Sequence, residues 1–193
     1  MTLISTSEFL AKAIFCDTMA VDVETNGQDI RDGRGFATGI SAAVNVDGDY
    51  VAAYFPVAHT TGNVDDDTKE MLFKLIASRD IIATHNIKFD VPALKTARYT
   101  RGFKRLYCTM MMAHFLNENK PKKLDWLAQN VLNRPGKNKP PMWEHCFTFY
   151  GWSPDFPADV MALYAGEDAI ICLQLLEKFL PHFKKWGFDG SEM

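Results

Sequence analysis

The chain has 193 residues, 47% of them hydrophobic and 23% charged, with a formal net charge of −3 and a pI near 5.9. That size and balance suit one domain over residues 1–193, and they argue against a disordered tail or a membrane protein, since no apolar stretch approaches spanning length. The mildly acidic total also lacks the footprint of a protein that grips nucleic acid by phosphate neutralisation alone, so nucleic-acid chemistry here would draw its positive charge from bound cations.

Ser5-Thr6-Ser7-Glu8, followed by Phe9, Leu10, Ala13 and Ile14, predicts a capped amphipathic helix, because Ser5 and Glu8 stand at capping-box spacing. Met19 to Thr25 alternates as a strand does, with Met19, Val21 and Val23 on one face and Ala20, Asp22 and Glu24 on the other. Phe36 to Val46 and Tyr50 to Val57 predict two more strands, joined by Asp47-Gly48, a dipeptide suited to a tight hairpin turn. These strands make an antiparallel meander.

Asp65-Asp66-Asp67 opens a helix carrying Leu72, Leu75 and Ile76, where carboxylates meet the positive end of the helix dipole. Ile81 to Thr84 predicts a buried strand, and helical periodicity begins after Asn86. Helices are expected over Met110 to Leu116 and Leu124 to Leu132, then a loop over Arg134 to Pro141. A long helix runs from about Pro157 to Leu180, with Pro181 expected to stop it. Gly166 inside that helix weakens it by about 1 kcal/mol relative to alanine, which implies a close approach by another segment.

Three pairs of residues stand out as candidates for chemistry. Asp22 and Glu24 lie two apart on a strand, so their carboxylates share a face at roughly 7 Å backbone spacing. The pattern is cheap in this chain, recurring at Asp47/Asp49 and Asp65/Asp67; the flanking apolar residues are what make this pair costly to leave uncompensated. Asn86 and Asp90 fall one helical turn apart, and Asp90 reads either as a site carboxylate or as a helix-start residue. Tyr164 and Asp168 share a face of the final helix with Ile171, Cys172 and Leu175, where a carboxylate needs a partner.

Taken together, the stretches Val21-Asp-Val-Glu-Thr-Asn-Gly27, Asn86-Ile-Lys-Phe-Asp90 and Tyr164-Ala-Gly-Glu-Asp168 resemble, in order and separation, the Asp-Glu-Asp-Asp (DnaQ-like) 3′→5′ exonucleases. Within that superfamily they resemble the proofreading domain of family-A DNA polymerases. Val51 to His59 and the paired helices from Thr109 to Leu132 extend the likeness over nearly the whole chain. Tyr164, four residues before Asp168, matches the tyrosine subfamily, while Cys108 departs from the aspartate common before Thr109-Met110.

The resemblance implies an α/β fold with an RNase H-like mixed β-sheet, antiparallel meander plus parallel strands, flanked by α-helices. It implies two divalent cations, Mg2+ or Mn2+, held by Asp22, Glu24, Asp90 and Asp168. Tyr164 would orient the attacking water, and Thr25 and Asn86 would contact substrate. The implied substrate is a single-stranded or frayed 3′ end of DNA, with RNA as an alternative, and the implied partner is a separate DNA polymerase.

The five histidines are scattered and lack ligand spacing, although His85 adjoins Asn86 and the cleft. Arg98, Arg101, Lys104, Arg105, Lys120, Lys122, Lys123, Lys137 and Lys139 are candidate backbone contacts, or else solvated surface. Cys16, Cys108, Cys146 and Cys172 form no C-x-x-C pair and the N-terminus lacks a signal pattern, which together suggest reduced thiols in the cytoplasm. Two other functions compete: an RNase D-like exoribonuclease, and a non-catalytic module that binds nucleic acid or a polymerase.

Overall fold

The computed structural model describes residues 2–27, 29–30, 32–135 and 142–187. Its first helix, α1 (Thr6–Ala13), starts where the capping signal put it, the Glu8 N–H donating to the Ser5 hydroxyl at 3.2 Å. The short strand before it, β1 (Thr2–Leu3), pairs parallel with β4 (Asp49–Pro56) and went unforeseen, two residues being too few to carry a pattern.

Strands β2 (Thr18–Thr25), β3 (Ala37–Val46) and β4 form the expected antiparallel meander. Asp47 and Gly48 both take positive φ, 53° and 97°, as the tight turn between β3 and β4 requires. On the other side of β2, β5 (Ile81–Thr84) and β6 (Leu106–Cys108) add parallel strands, and the six-stranded order is β1-β4-β3-β2-β5-β6. β2 is therefore a central strand, covered on both faces.

On one face, Met19, Val21 and Val23 join Ile40, Phe55, Leu72 and Leu94 in a core closed by α1, α2 (Asp66–Ser78) and α3 (Ile87–Thr96). The Asp65 carboxylate caps α2 by accepting from the Thr68 N–H at 2.6 Å, a helix-start role and not a ligand role. The opposite face carries a row of alanines in register across four strands, Ala83, Ala20, Ala43 and Ala52, all essentially without solvent exposure. Their small side chains let a helix lie close to the sheet.

That helix is α7 (Ala158–Lys185), whose Ala169, Ile170, Leu173 and Leu176 pack on the alanine row with α4 (Thr109–Leu116) and α5 (Leu124–Asn130) beside it. Each fully buried leucine there contributes roughly 1.5–3 kcal/mol. Gly166 meets the sheet edge: a Cβ at that position would lie 2.8 Å from Leu3 Cδ1 and 3.6 Å from Ala52 Cβ.

Two readings of the sequence need correction. Pro181 lies inside α7 and does not end it: the lost N–H removes one bond near the terminus, and burial of Phe183 to 3% exposure holds the last turn in place. A further helix, α6 (Trp143–Tyr150), follows residues outside the described set, among them Lys137 and Lys139. No helix among the described residues is long and apolar enough to cross a membrane, and all four cysteines are free.

Candidate active site

Beyond Ala20, the alanine face of β2 presents Asp22 and then Glu24. Their partners across the ladder are Ser41 and Gly39, small residues that leave room above the strand. A register shift at Glu24/Thr25 ends this pairing beside the carboxylates, a common device for re-aiming side chains next to a site. α7 crosses the same face and brings Asp168 to it. One carboxylate oxygen each from Asp22, Glu24 and Asp168 lies within 4.8 Å of the others.

Asp90 arrives from the β5–α3 junction at 2% exposure, its Oδ2 accepting the Asn86 backbone N–H at 2.9 Å. Burial, and after it the charge of Asp22, push the Asp90 carboxyl well above its ordinary value, while the Asn86 N–H pulls the other way. Asp22 and Asp90 thus lie within electrostatic reach of each other.

Asp22, Glu24, Thr25, Asn86, Asp90, Tyr164 and Asp168, the residues expected to hold metal, water or the terminal nucleotide, line one cavity of about 260 Å³, and among the described residues none of the candidate basic ones does. The Thr25 hydroxyl donates to the Gly27 carbonyl at 2.5 Å, which orders the turn leaving β2. Tyr164 is set by its neighbours: its ring lies 5.2 Å from that of Trp143, which stacks on Phe147 at 4.7 Å and 11°. Trp143 opens α6.

The sequence reading missed the apolar wall of this cavity, formed by Phe89, Leu124 and Trp152. A signal for α6 was present, since Trp143, Cys146, Phe147 and Tyr150 follow i, i+3, i+4, i+7 spacing, but the segment is only eight residues long and rich in aromatics of modest helix propensity. Cavity and wall together offer an acidic end suited to cations beside an apolar one suited to a flat ring.

His85 lines the cavity as well, with its ring already engaged. Nε2 lies 2.9 Å from the Lys122 carbonyl and Nδ1 lies 2.8 Å from the Thr109 hydroxyl. A carbonyl only accepts, so Nε2–H donates and Nδ1 accepts; this histidine fastens the β5–α3 junction to the loop before α5. Several of the candidate basic residues are also committed elsewhere. Arg101 pairs with Glu70, Lys104 with Asp80 at 2.8 Å, and the Lys122 ammonium donates to the Glu118 and Lys120 carbonyls.

The donor set that the acidic residues offer is all oxygen, without thiolate or imidazole, and this chemistry fits hard divalent cations of the Mg2+ type. A carboxylate cluster on the central strand of a mixed sheet, closed by a crossing helix, defines a metal-dependent nuclease. Residues 2–184 match the 3′-5′ exonuclease family, and the chain belongs to that family.

No curated protein matches by sequence. Among solved structures, the chain is similar to Brucella melitensis NrnC with bound Mg2+, at 18% identity and TM-score 0.61 over 89% of this chain and 76% of that one. It is similar to Trypanosoma brucei RNase D at 14% and 0.69, over 92% and 64%. Pol1 from M. smegmatis, in complex with DNA primer-template and dNTP, is similar at 16% and 0.61, over 93% and 26%. These likenesses are of fold, and they bear out the RNase H-like mixed sheet.

Proposed function

We propose that the protein removes nucleoside monophosphates from the 3′ ends of single-stranded or frayed DNA, as an exonuclease of the tyrosine type. The convergence of five candidate side chains from β2, the start of α3 and the middle of α7 on one cavity carries this reading. Asp22, Glu24 and Asp168, with Asp90 behind them, would hold two divalent cations, Mg2+ or Mn2+.

Bound there, the cations would offset charge on the scissile phosphate and acidify water. The chain's own groups supply the rest. Tyr164 orients the attacking water through its hydroxyl. Asn86 and Thr25 face the terminal nucleotide, and Phe89, Leu124 and Trp152 shelter it from solvent. A single strand reaches such a cleft more readily than a paired one, so mismatched ends, which unpair at less cost, would be favoured and the enzyme could serve a separate DNA polymerase. Free thiols fit a cytoplasmic setting.

The test is a comparison of 5′-labelled DNA and RNA single strands of matched sequence, incubated with Mg2+ or Mn2+. The proposal expects a ladder shortening from the 3′ end, faster on DNA. Faster trimming of RNA would move the substrate to RNA and leave the chemistry in place.

A further inference from the structure

Away from the carboxylates, a buried polar line joins the sheet to the start of α7. Ser41 pairs with Asp22 on one side and with Tyr54 on the other, so Tyr54 leaves the sheet on the carboxylate face. Its phenol lies over Gly39, the partner of Glu24, so closely that a Cβ at position 39 would stand 1.9 Å from Tyr54 Oη. Burial, and next the charge of Glu24, hold the Tyr54 hydroxyl well above its ordinary pKa, so it remains a proton donor.

The hydroxyl is hydrogen-bonded by the Thr38 side chain and finds its own acceptor in His59. Tyr54 Oη lies 2.8 Å from His59 Nε2, and His59 Nδ1 lies 2.8 Å from the Phe156 carbonyl. A carbonyl accepts only, so Nδ1–H donates to it and Nε2 of the neutral ring accepts from Tyr54. The histidine is itself held by Asn63, which accepts the His59 N–H at 2.8 Å and donates to the His59 carbonyl at 2.6 Å. Beside it, the Thr60 N–H donates to the Pro154 carbonyl at 2.9 Å and the Thr60 hydroxyl to the Asp155 carboxylate.

The segment from Pro154 to Phe156 is thereby tied to the chain that leaves β4. It lies between Trp152, in the cavity wall, and the first turn of α7, less than two turns before Tyr164. Tyr54, Phe156 and Trp143 share one apolar cluster, with Tyr164 and Trp152 packed against it.

We propose, on the exonuclease reading above, that Tyr54 and His59 are positioning residues: the line from Tyr54 through His59 to the Phe156 carbonyl sets where Tyr164 stands relative to Glu24. Neither residue lines the cavity, so both act through α7 and the segment before it. Tyr54→Phe is the sharp variant, because it keeps the ring in its cluster and removes only the hydroxyl that stands between Thr38 and His59.

In Tyr54→Phe, kcat should fall about tenfold with KM nearly unchanged, since small misplacements of a reacting group act on turnover. His59→Leu should match it, whereas His59→Gln, which carries one acceptor and one donor, should recover most of the loss. Combined with Tyr164→Phe, Tyr54→Phe should add no further loss, because both act through one hydroxyl. In metal-free protein, hydrogen exchange from Ser153 to Val160 should rise in Tyr54→Phe while β2 stays protected.

Wild-type protein that releases no nucleotide would overturn the exonuclease reading, and the positioning role with it. With active wild type, an unchanged kcat in Tyr54→Phe, a multiplicative loss in the double variant, or unchanged exchange between Ser153 and Val160 would overturn the positioning role alone.

Discussion

The backbone N–H of Asn86 donates to Oδ2 of Asp90 at 2.9 Å, across the first turn of α3. Asp90 thus satisfies an N–H at the start of the helix while standing in the electrostatic reach of Asp22. The helix-start reading is seen directly in this bond, and the proposed site role rests on the neighbouring Asp22.

Asp90→Asn separates those roles. The amide keeps an acceptor for the Asn86 N–H and removes a buried charge that repels Asp22, so the metal-free variant should melt at or above the wild-type temperature. Its nuclease activity should fall by about 10² or more, the usual scale for losing a preorganised electrostatic group. Mg2+ at about 100 times its Kd should stabilise the wild type by about 2.7 kcal/mol and the variant by much less. Thermal melts with and without Mg2+ measure both.

Two buried groups act in opposite directions on the pH dependence of the metal-free protein. Asp90, raised above its ordinary 3.8, contributes stability that is complete below that value and is lost as pH rises through its folded value. His59, lowered by burial from 6.5, contributes stability present above that value and lost as pH falls through its folded value. Asp90→Asn removes the first part, so below about pH 6.5 its melting temperature should fall more steeply than that of the wild type. Adding His59→Gln should flatten that slope.

Tyr164→Phe tests the phenol directly. Losing a water-orienting hydroxyl should lower kcat by about 10²-fold with little change in KM. The Tyr164 hydroxyl is not among the metal donors, so stabilisation by Mn2+ should survive in the same variant. Steady-state kinetics and melts of one preparation give both readings.

Two glycines mark close approaches that side chains would obstruct. Gly39→Ala puts a methyl group 1.9 Å from Tyr54 Oη, and the ring must move, at about 1–3 kcal/mol for overpacking. Gly166→Val drives branched carbon into Leu3 and Ala52, with destabilisation of the same order, about 1–3 kcal/mol. Urea unfolding should rank both below wild type, and Gly39→Ala should also lose activity because it displaces Tyr54.

Much of this fold was legible because its signals are local. Alternation from Met19 to Thr25 identified β2, Asp47-Gly48 identified the hairpin, and Asp65 marked the start of α2. Gly166 announced its contact with the sheet edge before that partner was known. What escaped depended on distant partners: β1 and β6 exist through pairing with β4 and β5, and α7 passes Pro181 because Phe183 is buried. Asp22, Glu24, Asp90, Tyr164 and Asp168 were nameable from motif order, whereas Trp152 and Leu124 belong to the cavity only because α5 and the segment after α6 fold over it.

The most direct test of the central claim is digestion of one oligonucleotide labelled in turn at its 3′ and 5′ ends, with Mg2+, with EDTA, and with Asp22→Ala protein. A metal-dependent exonuclease built on these carboxylates releases 3′-labelled mononucleotide first, shortens the 5′-labelled strand stepwise, and does neither in EDTA or with the variant. Internal cuts, or undiminished digestion by Asp22→Ala, would contradict it.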